Sequence, residues 1–487
     1  MSKSVLIFGG GLAGISAAVA LSEAGMQVEL IEKRPMLGGR ASSFIDPKTG
    51  AATDECQHGT MRCCTNLTNL LERLGVQDQI DYQNVIHFLD REGKRSVIKG
   101  CGLPAPLHTS LSFLAFKSLS LKDKIGIGRG MLAMIRAKLS PRYDLLDMAS
   151  WFKETEQTAQ GVSRFWRPIL VSACNEEPEL ISCTHGFKIF RDGFLANSEA
   201  FHFGIPKVPL GTLYTEPALR YLTARGARVR LRTIVDQIHF SGKSASLEQG
   251  VGESGKTLRI EGVTLQSGER LSSDYYVSGL QFDLLLKLLP PTATAGVAYW
   301  EKLPEIELSP IAGIQVWLDR KIECPPALAL LDRPTEWIFN KPIPERTDSH
   351  PSTLPKALSH LSMVISASRR YTQMPKEELL ERVMKDLHES LPETLEANIL
   401  RSSVIRWPKA TISPKPGVDL LRPDQQSPIE NLFVAGEWTQ TGWPSTMEGA
   451  VRSGYLAAER LLQTEGKPTS ILAKDLPESS LFKLLKG

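Results

Sequence analysis

Three glycines and one acid near the start of the chain carry the clearest chemical signal. Gly9, Gly11 and Gly14 have the spacing G-x-G-x-x-G, and Glu32 follows eighteen residues after the third glycine. Gly9 permits a tight turn, Gly11 lets backbone approach a pyrophosphate, and Gly14 lets a helix pack closely on a strand. A carboxylate at Glu32 can accept hydrogen bonds from ribose hydroxyls. The pattern predicts a dinucleotide site; the alternative is a glycine-rich turn that binds nothing.

The elements around these residues follow the order that a dinucleotide site requires. Ser4 to Phe8 is an apolar run typical of a buried parallel strand. A helix is expected over about Ala13 to Ala24 with a stop at Gly25, so that its N-terminal N–H groups and dipole point at the phosphates. A second strand, Gln27 to Ile31, then delivers Glu32.

Composition describes an ordinary globular protein. The chain has 487 residues, of which 42% are hydrophobic and 23% charged, and a net charge of +3. These values predict two domains, or one domain with large insertions, and no nucleic-acid partner. Its seven cysteines include no C-x-x-C pair, so we expect reduced thiols, a cytoplasmic location and no metal. We expect no signal peptide, and no apolar run approaches the ~20 residues that cross a bilayer.

Residues 33–42 (KRPMLGGRAS) resemble the signature that follows the ribose acid in the flavin amine oxidase and carotenoid desaturase superfamily. The resemblance implies FAD, with Gly38, Gly39 and Arg40 bringing backbone and a guanidinium up to the flavin and its phosphates. A guanidinium suits a diphosphate because its fork donates two parallel hydrogen bonds.

The segment from Asn431 to Gly454 resembles the second signature of this superfamily. The resemblance implies that Glu437 meets the ribityl-phosphate region and that a helix starting near Ser445 and Thr446 faces the flavin pyrimidine. Its dipole would stabilise negative charge on a reduced flavin by up to ~1–2 kcal/mol. No cysteine follows Cys324, so thioether attachment from this segment is not expected and FAD should be non-covalent.

FAD contacts are thus predicted near both ends of the chain. Val235 is included because the superfamily passes backbone past the adenine at that point. The predicted FAD-binding residues are Gly9, Gly11, Leu12, Ala13, Gly14, Glu32, Lys33, Gly38, Gly39, Arg40, Val235, Gly436, Glu437, Thr446, Met447 and Glu448.

Four stretches together resemble a narrower branch, the squalene-associated FAD-dependent desaturases, which are hydroxysqualene dehydroxylases of bacterial hopanoid biosynthesis. These stretches read GGRASS, DECQHG, FWRPILVSACNEEPE and TGWPSTMEGAVRSGYLAAE. One departure is Cys56, which stands where the pattern usually has glycine. The resemblance implies reductive removal of an allylic hydroxyl from a C30 isoprenoid, giving squalene.

The resemblance also places the stretch from Thr53 to Gly59 beside the isoalloxazine ring. His58 is the side chain there that could exchange a proton near neutral pH, so it is the candidate acid, with Asp54 or Gln57 orienting it. The alternative for each is a hydrogen-bonded loop residue. Trp443 and Trp166 are candidates to offer π-faces to an allylic cation, although burial in the core is the better expectation for Trp166.

We therefore predict an α/β fold, with a Rossmann-like FAD-binding domain assembled from residues 1–80, 206–280 and 411–465. Residues 81–205 and 281–410 should form an inserted substrate-binding domain of mixed antiparallel sheet and helices, followed by a tail at 466–487. Local patterns predict a helix over Met61 to Leu74 and one strand over Val229 to Ile238.

Leu111 to Leu139 mixes large apolar residues with six cations and the single acid Asp123. A segment of this type can lie in a membrane interface and give peripheral, reversible attachment, here to the inner face of the cytoplasmic membrane. The alternative is a superficial helical cap. For Ser479 to Lys486, disorder is favoured over a second anchor.

Three other functions stay open at this point. A carotenoid desaturase would use the same fold oxidatively, an amine oxidase would need an aromatic pair framing the amine, and a prenyl-lipid carrier would bind lipid without chemistry. No second G-x-G-x-x-G indicates NADPH, so the electron donor for FAD is open.

Overall fold

A computed structural model describes residues 2–46, 52–241, 258–343 and 357–487. Its strands are β1 Ser4–Phe8, β2 Gln27–Ile31, β3 Ser43–Ile45, β4 Ala52–Asp54, β5 Thr60–Met61, β6 Ile80–Gln83, β7 Val85–Leu89, β8 Arg95–Lys99, β9 Phe203–Pro206, β10 Arg228–Arg230, β11 Val235–Ser241, β12 Arg259–Leu265, β13 Arg270–Leu271, β14 Tyr275–Ser278, β15 Leu308–Leu318, β16 Ala327–Leu330, β17 Trp337–Lys341, β18 Ser359–Ile365, β19 Ile399–Ile412 and β20 Leu432–Val434.

Helices connect and cover these strands. They are α1 Leu12–Glu23, α2 Thr65–Leu74, α3 Ser110–Leu114, α4 Leu121–Arg136, α5 Pro141–Leu145, α6 Met148–Glu154, α7 Ala159–Gly161, α8 Arg167–Cys174, α9 Cys183–Phe190, α10 Leu210–Thr223, α11 Phe282–Leu288, α12 Pro291–Thr294, α13 Ala298–Glu301, α14 Lys376–Ser390, α15 Val418–Leu421, α16 Met447–Thr464 and α17 Ser480–Lys486. Within the described ranges, none is long and apolar enough to cross a bilayer.

A five-stranded parallel sheet organises the nucleotide-binding part, in the order β10-β2-β1-β14-β20. In β1, Ile7 pairs with Leu30 on one side and Val277 on the other. Sequence-distant segments therefore meet in one sheet, and the predicted α/β fold is confirmed.

Helix α1 lies between this sheet and α16, with every residue from Leu12 to Ser22 buried. The two helices cross at Gly454, where a Cβ would lie 2.2 Å from the carbonyl oxygen of Ala13. Ser16 Oγ donates across the crossing to the carbonyl of Val451 at 3.1 Å. This close packing joins the two ends of the chain directly.

A seven-stranded sheet, in the order β19-β15-β18-β17-β16-β7-β8, forms the second part. Its strand pairs are antiparallel except β16 with β7. Leu379, Val383 and Leu387 of α14 join the core on one face. The opposite face, which we call the front face, is directed at residues 52–61 and is described below.

Helices α3 to α9 form a cap whose core is aromatic, and the end of the chain docks on it. Phe482 of α17 is 1% exposed within this core, so the favoured prediction of a disordered tail is wrong. Arg191 donates from Nε to the carbonyl of Met134 at 2.8 Å and also to that of Ala137, which satisfies carbonyls at the end of α4.

Two local predictions need correction. The strand expected over Val229 to Ile238 is two strands, because Arg232 has a φ of +53° and the chain crosses there from the sheet of β10 to that of β11. The helix expected from Met61 begins at Thr65, because Thr60 and Met61 pair with β9.

Candidate active site

The glycine-rich turn has the geometry that its pattern predicts. Gly9 has a φ of +92°, and a Cβ on Gly14 would lie 1.9 Å from the carbonyl oxygen of Gly9. Gly11 is the N-cap of α1, so Leu12 and Ala13 are its first residues. Their N–H groups have no acceptor within the helix, as at every helix start, and can receive an anion.

Glu32 is buried at the end of β2. Its Oε2 accepts from the N–H of Gly10 and its Oε1 from the N–H of Arg34, both at 2.7 Å. Each carboxylate oxygen can accept more than one hydrogen bond, so both remain able to accept from ribose hydroxyls. The next residue, Lys33, is exposed. Val235 is the first residue of β11 and lies near Glu32 in the fold, because the N–H of Thr233, two residues earlier in the chain, donates to the carbonyl of Glu32.

The Gly-Gly-Arg loop lies against the first turn. Gly38 and Gly39 have φ values of +107° and +63°, and a Cβ on Gly39 would lie 2.9 Å from the Cα of Gly11. Arg34 Nη1 donates to the carbonyl of Gly39 at 2.9 Å and its Nη2 pairs with Glu55. The sequence did not indicate this holding role for Arg34, which only the folded loop makes evident.

Arg40 and Glu437 bring the two signatures together. Arg40 Nη2 lies 2.5 Å from Glu437 Oε2, and its Nη1 donates to the carbonyl of Ala410 at 2.7 Å. Glu437 is 4% exposed, and its Oε1 has no hydrogen-bond partner among the described residues. A buried carboxylate oxygen without a donor is costly, so a hydroxyl-bearing ligand fits here.

Helix α16 begins beside this pair. Thr446 is its N-cap, with Oγ1 accepting from the N–H of Gly449 at 3.2 Å. Met447 follows, and its sulfur accepts from the hydroxyl of Tyr214 at 3.6 Å. Gly436 has a φ of +153°, and its N–H donates to Ser453 at 2.8 Å.

Glu448 has a different role from the one its position suggests. Its fully buried carboxylate accepts from the backbone N–H groups of Asn66 at 3.1 Å and Leu67 at 2.7 Å, at the start of α2. Arg452 Nε donates to it at 2.7 Å. The side chain is thus engaged within the protein, and only the backbone N–H of Glu448 is left for a cofactor.

The front face of the second sheet covers the stretch from Asp54 to His58. A Cβ on Gly313 would lie 3.4 Å from the sulfur of Cys56, and Gln315 Nε2 donates to the carbonyl of Asp54 at 2.6 Å. Alternation along each strand sets the members of the face. They include Ile311, Gly313, Gln315, Trp317, Ala327, Trp337, Phe339, Lys341, His360, Ser362 and Val364.

One end of the front face is apolar and aromatic. The rings of Phe203 and Trp337 stack at 5.6 Å and 13°, and those of Trp337 and Phe339 at 5.7 Å and 17°. Gly59 is required here, because a Cβ would lie 2.2 Å from Phe203 Cζ. Val364 pairs with Trp337 in the same row of the sheet.

The other end of the front face is polar. Lys341 Nζ lies 2.9 Å from Asp54 Oδ2 and 2.6 Å from Gln57 Oε1. His360 pairs with Lys341 across the strands, and its Nε2 lies 2.9 Å from Gln315 Oε1. Lys341 was not predicted; its only sequence signal is the alternation Trp337-x-Phe339-x-Lys341, which puts a lysine in line with two aromatic rings.

Asp54, Gln57 and His58 do lie together, but not in the predicted arrangement. Asp54 Oδ1 accepts from the N–H of Leu210 at the start of α10, and Asp54 and Gln57 hold Lys341 rather than His58. Burial lowers the pKa of His58, whose Nδ1 lies 3.1 Å from the carbonyl oxygen of Cys56. A neutral ring donating to that carbonyl leaves Nε2 as an acceptor, which argues against the acid role.

The rings of Trp443 and Trp166, which were candidates to face a substrate cation, contact other residues of the protein. Lys188 Nζ and the Arg452 guanidinium lie 4.3 and 4.6 Å from the ring centroid of Trp443. Trp166 is fully buried and donates to Gln157 at 2.8 Å. Two cations already lie over the ring of Trp443, which argues against the role expected for it, and Trp166 has the core position that was the better expectation for it.

These features define the class of protein before any comparison. The glycine turn, the buried carboxylate of Glu32 and the oxygen of Glu437 that no described residue satisfies fit a dinucleotide, and the front face beside residues 54–58 has a polar and an apolar end. The fold and the site are those of a dinucleotide-dependent oxidoreductase.

Comparison with known proteins gives the family. Residues 12–462 match the model for flavin containing amine oxidoreductases, and the chain belongs to that family. Its cofactor is FAD, as the sequence predicts.

Individual relatives are distant. The chain is 25% identical to a probable zeta-carotene desaturase from Synechococcus elongatus, over 95% of this chain and 99% of the relative. It is 26% identical to a hydroxysqualene dehydroxylase from Sinorhizobium fredii, again over 95% of this chain and 99% of the relative. The fold matches a crystal structure of an oxidoreductase from Methanosarcina mazei with a TM-score of 0.66 at 17% identity, covering 94% of this chain and 100% of that one.

Proposed function

We propose that this enzyme removes the allylic hydroxyl of hydroxysqualene reductively and releases squalene. The observation that carries the proposal is the division of the front face into an aromatic end, around Trp337 and Phe339, and a polar end, around Lys341 and Gln315. A hydroxylated C30 isoprenoid has the same division, since a long hydrocarbon carries one polar group. The similarity to a hydroxysqualene dehydroxylase supports this substrate.

A pure hydrocarbon suits the polar end less well. A buried polar group left without a partner costs about 1–3 kcal/mol, so a site built for a hydroxyl discriminates against an analogue that lacks it. Lys341 donates to Asp54 and Gln57, and its third N–H would face such an analogue without an acceptor.

The cofactor and the residues of the chain have separate roles in the proposed reaction. Reduced FAD supplies the hydride. Glu32, Arg40 and Glu437 are placed to hold the dinucleotide, and the polar end is placed to hold the hydroxyl. The stacked rings of Phe203, Trp337 and Phe339 keep water from the hydrocarbon.

Single-turnover chemistry tests the proposal. The holoenzyme is reduced with dithionite under anaerobic conditions and mixed with hydroxysqualene, and extracts are analysed by gas chromatography and mass spectrometry. We expect stoichiometric squalene. Absence of squalene, with the FAD still bound and reduced, would contradict the proposal.

Desaturation of zeta-carotene is the second candidate. The aromatic end of the front face and the similarity to a probable zeta-carotene desaturase favour it. Oxidised holoenzyme with zeta-carotene and a quinone acceptor would then form a product with a longer conjugated chromophore, which absorbance detects directly.

We also propose that the helical cap attaches to an anionic membrane surface. Six large aliphatic residues that lie close in the sequence are 43–70% exposed, and we call them the leucine face: Leu103, Leu107, Leu111, Leu114, Leu121 and Ile125. The exposed Lys99, Lys117 and Lys122 lie among them. Inserted leucines with lysines at the headgroups are the pattern of interfacial attachment, and a membrane is where a C30 isoprenoid is found.

Flotation with vesicles measures this attachment. Wild-type protein should float with phosphatidylglycerol vesicles more than with phosphatidylcholine vesicles, and less at high salt. Serine at Leu111, Leu114 and Leu121 together should abolish flotation. Serine at Leu395 and Leu420, which are 68% and 66% exposed elsewhere, is the matched control. Equal flotation of both variants would contradict the assignment.

A further inference from the structure

Lys341 is an unusual residue for the place it occupies. Its side chain is only 10% exposed, and that of its partner Asp54 is 5% exposed. It is the last residue of β17 and lies on the same face as Trp337 and Phe339, which are aromatic and contribute to an apolar cluster. A lysine is rarely this buried unless it is paired, so the partners of Lys341 determine what its ammonium group can do here.

The partners of Lys341 leave part of its hydrogen-bonding capacity free. An ammonium group has three N–H donors. Among the described residues, one meets Asp54 Oδ2 at 2.9 Å and a second meets Gln57 Oε1 at 2.6 Å. One donor therefore remains for a ligand.

The surroundings fix this group in place. Asp54 Oδ1 accepts from Ser43 Oγ and from the N–H of Leu210, both at 2.7 Å, so the carboxylate that holds Lys341 is itself held. The neighbouring His360 has a pKa lowered to about 3 by burial and by the charge of Lys341, so it is neutral and does not compete as an acid.

We propose that Lys341 binds the substrate hydroxyl and gives it the proton with which it leaves. This inference rests on the proposed function, because it names the group that acts on the hydroxyl of hydroxysqualene. The C–O bond breaks, its electron pair leaves with the oxygen, and the proton from Lys341 Nζ completes a water molecule. Anionic reduced FAD, which Glu32, Arg40 and Glu437 would hold, would supply the hydride for the new C–H bond, so that charge and electrons balance, and solvent returns the proton to the amine.

A purely structural role is the alternative, in which Lys341 only neutralises Asp54. The two roles differ in what arginine restores. A guanidinium preserves the ion pair and donates hydrogen bonds, but it does not release a proton in the accessible pH range.

The test compares Lys341→Met and Lys341→Arg with the wild type as FAD holoenzymes. Lys409→Met is the matched control, since Lys409 is 58% exposed and paired with Asp283 at 2.6 Å. Two readouts are taken for each variant. The first is the affinity of oxidised enzyme for hydroxysqualene and for squalene, from tryptophan fluorescence; the second is the single-turnover rate of squalene formation.

We expect wild-type enzyme to prefer hydroxysqualene by roughly tenfold to a hundredfold, as a charged hydrogen bond provides. Lys341→Met should lose this preference and slow the turnover by about 100-fold or more, the usual size of a lost general acid. Lys341→Arg should regain the preference but not the rate. The control should match the wild type.

Other outcomes would overturn the inference. An unchanged preference and a rate within threefold in Lys341→Met would remove Lys341 from the reaction. A wild-type rate in Lys341→Arg would leave only the structural role, and this arm decides the matter if Lys341→Met does not retain FAD. If the wild type itself forms no squalene, the proposed function fails, while the binding preference still tests hydroxyl recognition by Lys341.

Discussion

Replacing Glu448 by glutamine distinguishes a role in the fold from a role in cofactor binding. The carboxylate is fully buried and accepts from Asn66, Leu67 and Arg452. Breaking a buried ion pair by removing one partner costs about 3–5 kcal/mol. Glutamine keeps the shape of the side chain and one acceptor oxygen. Its other terminal atom is an amide nitrogen, whose N–H groups would point at the N–H donors that the carboxylate accepts from. We therefore expect a loss of ~2–4 kcal/mol in the free energy of unfolding of the apoprotein.

Urea denaturation of the FAD-free protein, followed by far-UV circular dichroism, measures this loss. Glu437→Gln is the matched control, because Glu437 is also a buried acid of residues 431–454 and its Oε1 has no hydrogen-bond partner among the described residues. That variant should lower FAD affinity more than apoprotein stability. If Glu448→Gln left the urea midpoint unchanged while FAD affinity fell, Glu448 would be a cofactor ligand and our assignment would be refuted.

Two further predictions concern pH and the end of the chain. Burial raises the pKa of Glu336 from 4.5 to about 7, so the folded protein keeps a proton that the unfolded chain releases. Stability should then fall by up to ~1.4 kcal/mol per pH unit between these two values and level off above them. Glu336→Gln should remove that slope from urea midpoints, and an unchanged slope would count against this origin. Phe482→Ala should weaken docking of α17 by about 3 kcal/mol and expose the tail to limited proteolysis. Leu484→Ala, at a position 77% exposed, should leave the digestion pattern unchanged.

Local patterns predicted the nucleotide-binding elements well because neighbouring residues determine them. The first strand, Gly25 as the stop of α1, and the strand before Glu32 all depend on short runs of chain. The resemblance put Arg40 and Glu437, almost 400 residues later, separately at the same FAD, and in the structure the two side chains lie 2.5 Å apart.

The sequence is least informative where distant residues decide the outcome. Nothing next to Glu448 in the sequence shows that the start of α2 lies opposite its carboxylate. Trp443 looked available because the sequence does not show that Lys188 of α9 and Arg452 of α16 lie over its ring. Lys341 was missed for the same reason, since its partner Asp54 is 287 residues away.

The five side chains of β17 alternate between the front face and the hydrophobic core, so the two groups are under different selective pressures. Trp337, Phe339 and Lys341 point to the front face, whereas Ile338 lies in the core beneath α14. Replacements at the first three positions can therefore change what the front face presents while the hydrophobic interior is kept intact. Relatives with different substrates can diverge by such exchanges. A single-residue insertion before Lys341 in this strand would instead turn its side chain into the interior and remove its ammonium group from the front face.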